Sequence, residues 1–219
     1  GDPFPGHVDV QGTPVVVNFH KPAASGPPSI AASFTATVPA NYTEELGVIR
    51  VLRGDDCSVE VNLGGTDVDN DGVTDWLVSS ASLAAGDLDG DGDIDALVGG
   101  QEGLLLLTNQ GGTTATFAGT ALATPVDAQV DSIALADLDG DGDLDAVLAT
   151  SNQENFLLVN QGGAQNGVAG TFGDENDVVV LPGGAFQTLD LALGDVDADG
   201  DLDIVVLNST VSIIFGEDP

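Results

Sequence analysis

Basic side chains are nearly absent. Lys21, Arg50 and Arg53 are the only three in 219 residues, against 36 aspartates and glutamates, for a formal charge of −33. A chain this acidic is repelled by phosphate backbones and anionic membrane surfaces, which excludes nucleic acid and lipid headgroups as partners. Cysteine is limited to Cys57, so no disulfide forms within the chain. Histidine is limited to His7 and His20, neither near a cysteine at ligand spacing, which excludes a zinc centre. Aromatic residues make up 5%, which disfavours an aromatic surface on which sugar rings stack. No apolar run is long enough for a membrane-crossing helix. Catalytic signatures are missing too: there is no G-x-S-x-G elbow, P-loop, dinucleotide fingerprint or H-E-x-x-H. We expect no enzyme.

What is present is aspartate at alternate positions. The stretch AGDLDGDGDIDALVGG carries Asp87, Asp89, Asp91, Asp93 and Asp95, and then turns apolar. Four carboxylates converging to ~5 Å repel by roughly 5 to 20 kcal/mol over their six pairs, depending on the local dielectric. A closed loop of this kind needs a cation. All-oxygen donors and a glycine for the sharp turn select a hard ion of flexible coordination, calcium rather than a transition metal.

The pattern D-x-D-x-D-G-x-x-D occurs four times, and comparing the copies shows which positions are fixed. They are Asp67, Asp69, Asp71 and Asp75; Asp87, Asp89, Asp91 and Asp95; Asp137, Asp139, Asp141 and Asp145; and Asp195, Asp197, Asp199 and Asp203. Position 6 is always glycine, and position 2 is always apolar: Val68, Leu88, Leu138, Val196. Position 7 is Val73, Asp93, Asp143 or Asp201; a valine coordinates only through its carbonyl, so the expected ligand there is the main chain in every copy. The spacing differs from an EF-hand, because residue 12 of each loop is Val78, Val98, Leu148 or Val206 and cannot supply the bidentate glutamate. About four calcium ions per chain are expected. They would still leave a net charge of about −25.

Short apolar β-prone runs flank the loops: SLAAG, SIALA and LALG before, ALVGG, AVLAT and IVVLN after. The first aspartates of loops two to four stand at 87, 137 and 195, a period of 50 to 58 residues that belongs to propeller blades. Each period reads as strand, ion loop, strand, turn, strand, turn, strand. That is a four-stranded antiparallel meander.

The segment ALADLDGDGDLDAVLATSNQENFLLVNQGG, followed by GTF, resembles the FG-GAP/VCBS repeat family, the calcium-loop blades of integrin α-subunit propellers, and the resemblance covers residues 81–216. It implies an all-β, propeller-like array on an extracellular protein that adheres, binds ligands or acts as a scaffold. It implies calcium at the aspartates above, and it supplies no catalytic motif. Family propellers have about seven blades; this chain has three units, preceded by an irregular β region. We therefore divide it into an N-terminal arm and β region, 1–66, and calcium-binding repeats, 67–219. Loop one starts only 20 residues before loop two, so its unit draws strands from PVVVNF, SIAASFTATV, GVIRVLR or SVEVNL upstream, while the last unit lacks a fourth strand.

An open array of blades leaves edges that invite pairing with another chain. The expected partner is a second copy, through strand exchange, building a fibre, sheath or surface layer stabilised by calcium. The alternative is a discrete closed propeller that binds carbohydrate or a cell-surface protein. Secretion is expected, since such sites suit millimolar calcium and the opening GDPFPG fits a mature form freed of its signal peptide. Arg53-Gly54-Asp55 spells an adhesion tripeptide but reads as a tight turn. Asn41 and Asn208 begin glycosylation sequons.

Overall fold

Apolar residues at period two, punctuated by Asp-Gly turns, build strands, and no helix occurs among the described residues. A computed structural model of the chain describes residues 7–17, 19, 29–36, 46–53, 55–57, 59–63, 77–78, 82–100, 103–111, 116–122, 129–151, 153–162, 167–172, 178–181, 187–208 and 212–214. Their strands form four antiparallel sheets. The first contains β1 (His7–Val17), β2 (Ser29–Ala36), β3 (Leu46–Arg53) and β4 (Val59–Leu63), in that order, with β5 (Leu77–Val78) also on β3. Gly47 pairs with Leu77 and Ile49 with Leu63, so β4 and β5 follow one another along a single edge of β3. Loop one lies between them and outside the described residues. The upstream runs expected to complete its unit are thus β1 to β4, and the first sheet extends past residue 66.

The second sheet is β6 (Ser82–Gly86), β7 (Asp95–Gly100), β8 (Gly103–Asn109) and β9 (Phe117–Leu122). The third is β10 (Val130–Ala136), β11 (Asp145–Thr150), β12 (Phe156–Leu158) and β13 (Val179–Val180). These are the expected meanders, each with its ion loop between the first two strands. The fourth sheet, β14 (Thr188–Gly194), β15 (Asp203–Asn208) and β16 (Ser212–Ile214), has three described strands.

The sheets stack face to face in chain order, first on second, second on third, third on fourth. Alternation along the second strand of each unit drives this. In β7, Ala96 and Val98 pack with Ile49 of the first sheet, while Leu97 joins Val130, Ile133, Ala146 and Leu148 of the third. In β11 the roles repeat one sheet along: Val147 packs with Ile204 and Val206 of the fourth. Each sheet of the middle pair is therefore apolar on both faces, unlike a sheet with one face in water. Fully burying one such side chain contributes about 1.5–3 kcal/mol, so the stacked interfaces are where the array finds its stability. The architecture is all-β and propeller-like in its stacking; the described contacts do not join the fourth sheet to the first as a closed ring would.

Candidate metal centre

Each loop is forced back on itself at two positions. Position 6 adopts positive φ at Gly92 (85°), Gly142 (98°) and Gly200 (106°), as its invariance required. Position 4 does the same at Gly90 (74°), Gly140 (75°) and Ala198 (66°). That second constraint was visible in the sequence only as a preference for Gly or Asn, since loop one has Asn70 there and loop four has alanine.

These bends gather the carboxylates. Oxygens of Asp87, Asp89 and Asp95 lie within 4.8 Å of one another, as do those of Asp137, Asp139 and Asp145, and of Asp195, Asp197 and Asp199. The first two groups combine a fully buried position 9 with more open partners; the third is exposed throughout. Asp91 and Asp141, at position 5, stay outside these groups, and their Oδ1 atoms accept the N–H of Asp93 (2.7 Å) and Asp143 (2.9 Å). In loop four Asp199 likewise accepts from Asp201 N–H at 3.0 Å. The five loop-one candidates, Asp67, Asp69, Asp71, Val73 and Asp75, lie outside the described residues.

Position 9 has a second duty that its reading as a ligand missed. Asp95 Oδ2 accepts the N–H of Leu88 at 2.8 Å and Oδ1 accepts that of Asn109 at 2.8 Å, so one carboxylate ties the start of the loop to the end of the third strand. Asp145 repeats this with Leu138 (3.0 Å) and Asn160 (2.9 Å), and Asp203 accepts from Val196 at 2.7 Å. Burial pushes the Asp95 carboxyl up to about 6, outweighing the Asn109 and Leu88 N–H bonds that favour the charged form, with the Asp89 charge adding to the rise. Burial likewise raises Asp145 and Asp89. A carboxylate so placed gains from a nearby cation.

Position 7 behaves differently. The Asp93 side chain is buried, and a methyl added at Gly111 would sit 2.6 Å from its Oδ2; Asp143 stands against Gly162 in the same way. These carboxylates therefore lie against the glycine turn that follows the third strand and stay outside the three-carboxylate groups, as Asp91 and Asp141 do.

The asparagines of the two NQGG stretches, Asn109 and Asn160, are residues that sequence reasoning did not single out. Asn160 is fully buried; its Nδ2 donates to Leu88 O in the preceding loop (2.9 Å) and to Leu144 O (3.1 Å), and its Oδ1 accepts Gly170 N–H (2.9 Å). Asn109 does the same one sheet earlier, donating to Phe19 O (3.0 Å) and Ile94 O (3.2 Å). Asn160 thereby latches loop two to the third sheet. The remaining motifs carry less: Arg53 pairs with Asp55 at 3.1 Å, so this tripeptide turns upon itself, and its guanidinium holds the Asp55 carboxyl below the usual range. Asn208 is buried and accepts from Thr188 Oγ1 at 2.8 Å, which closes it to glycosylation, and Cys57 is a free, exposed thiol.

The FG-GAP-like repeat family matches residues 87–148 and 137–206, which together span more than half of the chain. The chain belongs to the FG-GAP-like repeat family. No curated protein matches it. Among solved structures, an Agrocybe aegerita lectin described as recognising non-reducing terminal N-acetylglucosamine is 16% identical with a TM-score of 0.48, covering 92% of this chain and 51% of that one. The V. cholerae biofilm matrix protein Bap1 is 17% identical with a TM-score of 0.41, covering 92% of this chain and 36% of that one. The chain thus spans about half or less of the length of each, and no function is carried over from them.

A calcium ion fits the FG-GAP-like loops by their chemistry. The donors are oxygens only, and Asp87 Oδ1 is shut away from solvent with no hydrogen-bond donor. Burying such a charge uncompensated costs several kcal/mol.

Proposed function

We propose that this FG-GAP-like chain is a calcium-binding extracellular structural protein whose copies join into a fibre, sheath or surface layer by exchanging β-strands. The observation carrying the reading is the threefold recurrence of a carboxylate cluster at the same place in successive sheets. Asp87, Asp89, Asp91 and Asp95 would hold one ion together with the Asp93 carbonyl; Asp137, Asp139, Asp141, Asp145 and the Asp143 carbonyl a second; Asp195, Asp197, Asp199, Asp203 and the Asp201 carbonyl a third. Loop one would supply the fourth. The ion contributes charge neutralisation and a fixed turn. No reaction is assigned to it, because carboxylates committed to a cation keep low pKa values, unsuited to a general acid.

Extracellular location is supported by family membership and by the match between such loops and millimolar calcium. Strand exchange is supported by the fourth sheet, in which β16 takes no strand on its far edge among the described residues. Isothermal titration of chelated protein with calcium tests the site assignment. About four ions should bind, and Asp89→Ala should remove one. An Asp93→Ala variant that keeps its fold should retain all of them, and loss of a site there would overturn the backbone assignment.

A further inference from the structure

Loops two and three are almost the same sequence. Residues 87–95 read DLDGDGDID and residues 137–145 read DLDGDGDLD, so they differ only at Ile94 and Leu144. Equal ligands at equal spacing would hold equal ions. Any difference between the two sites therefore comes from position 8 or from what surrounds each loop.

The surroundings differ, because loop two is covered by a segment of the unit that follows it. Between β12 and β13 the chain doubles back: Asn160 bridges Phe172, Gln161 N–H donates to Thr171 O at 2.8 Å, and Phe172 packs against the core shared by the second and third sheets. This holds Gly170 at φ 77°, so close to loop two that a methyl added to it would sit 2.7 Å from Asp89 Cβ and 3.1 Å from its Cα. Asn160 grips the neighbouring residue through Leu88 O at 2.9 Å, and Gly170 N–H donates to Asn160 Oδ1 at 2.9 Å. Amide and glycine thus act as one clamp on positions 2 and 3 of loop two. The effect shows in exposure. Leu88 and Asp93 are buried and Asp89 is half-buried, whereas Leu138 and Asp143 are half-buried and Asp139 is exposed.

Resting on the calcium sites assigned above, we propose that these two near-identical loops divide the work: loop two, closed over by the third unit, holds the tighter, structural ion, and loop three holds an exchangeable ion that follows the calcium around the chain. Three physical effects act in the same direction. A loop whose backbone is already held binds an ion without ordering itself first. Carboxylates from which the fold has removed water attract a cation more strongly, and without the cation the same burial sharpens the repulsion among Asp87, Asp89 and Asp95 that the ion relieves. Release from loop two also requires the clamp to open.

Calcium titration of the 15N-labelled 219-residue chain, in chelator-buffered calcium, tests this residue by residue. The amides of Gly92 and Gly142 donate to Asp87 Oδ2 (2.9 Å) and Asp137 Oδ2 (3.0 Å), so each reports one loop. In wild type the Gly92 signal should reach half-saturation at a calcium concentration about fivefold or more below that of Gly142, the factor that corresponds to ordering the backbone of one residue in advance. Gly170→Ala, which drives a methyl into Asp89, should raise the Gly92 midpoint towards that of Gly142 and leave Gly142 in place. Ile94→Leu makes the two loops identical, and the gap should survive it. Coincident midpoints in wild type, or Gly142 saturating first, would overturn the proposal while leaving the calcium sites standing. A gap that closes in Ile94→Leu would also overturn it, since position 8 would then set the order. Absence of any calcium response at both glycines would overturn the calcium sites and this ordering together.

Discussion

Replacing Asn160 with alanine removes three hydrogen bonds from a fully buried site. Leu88 O, Leu144 O and Gly170 N–H each lose this partner, at 2.9, 3.1 and 2.9 Å. A buried polar group deprived of its partner costs about 1–3 kcal/mol, so the loss is ~3 kcal/mol or more, against almost no gain from side-chain freedom. For a chain of this size that corresponds to a fall of about 6–12 °C in melting temperature. Gln161→Ala, next to it, removes one half-buried bond to Val159 O at 3.1 Å and should cost under ~1 kcal/mol. Because Leu88 belongs to loop two, Asn160→Ala should also weaken the ion in a loop some 70 residues away while leaving loop four unchanged. Thermal unfolding by circular dichroism in millimolar calcium, paired with calcium titration, reads both effects. An Asn160→Ala protein that melts within 2 °C of wild type, or no lower than Gln161→Ala, would refute the latch.

The metal-free protein should lose stability as pH rises. The Asp95 carboxyl is pushed up to about 6 in the folded chain against 3.8 for a free aspartate, so between those values the folded state binds more protons than the unfolded one, and ionisation on the way to neutrality destabilises by up to ~3 kcal/mol. Asp89 and Asp145 are raised too and act in the same direction. Dialysed, calcium-free protein should therefore melt higher at about pH 4.5 than at about pH 7.5, and added calcium should reverse the order; a flat profile without calcium contradicts the burial argument. Ala198→Gly should stabilise by up to ~1 kcal/mol, since alanine at φ 66° is strained where loops two and three have glycine, and chemical denaturation that finds it destabilising by that amount would contradict this.

Much of the repeat region was legible because its physics is local. The loops following SLAAG and SIALA end where β7 and β11 begin, at Asp95 and Asp145. A glycine fixed at position 6 announces a backbone that must bend. Contacts between sheets were not legible. Nothing in the sequence singled out Asn109 and Asn160 at the ends of their strands, and only the stacking brings their amides to Phe19 and Leu88. The same holds for position 9: a carboxylate in a ligand pattern gives no sign that its oxygens also clamp two strands. Position 2, apolar in every loop, packs inward at Leu88 and Leu138, whereas Val196 is exposed where no described sheet covers the fourth. The first sheet was readable as β-prone runs, but not the interruption of one edge row by loop one, which depends on register with β3.

Chelation is the most direct test of the ion-dependent fold. Melting temperature should be measured before and after exhaustive EGTA treatment, with metal per chain counted by elemental analysis. The account predicts about four calcium ions in the untreated protein, a large drop in melting temperature on their removal, and recovery on adding calcium back. A protein that contains no divalent metal and melts at the same temperature with or without calcium would contradict it.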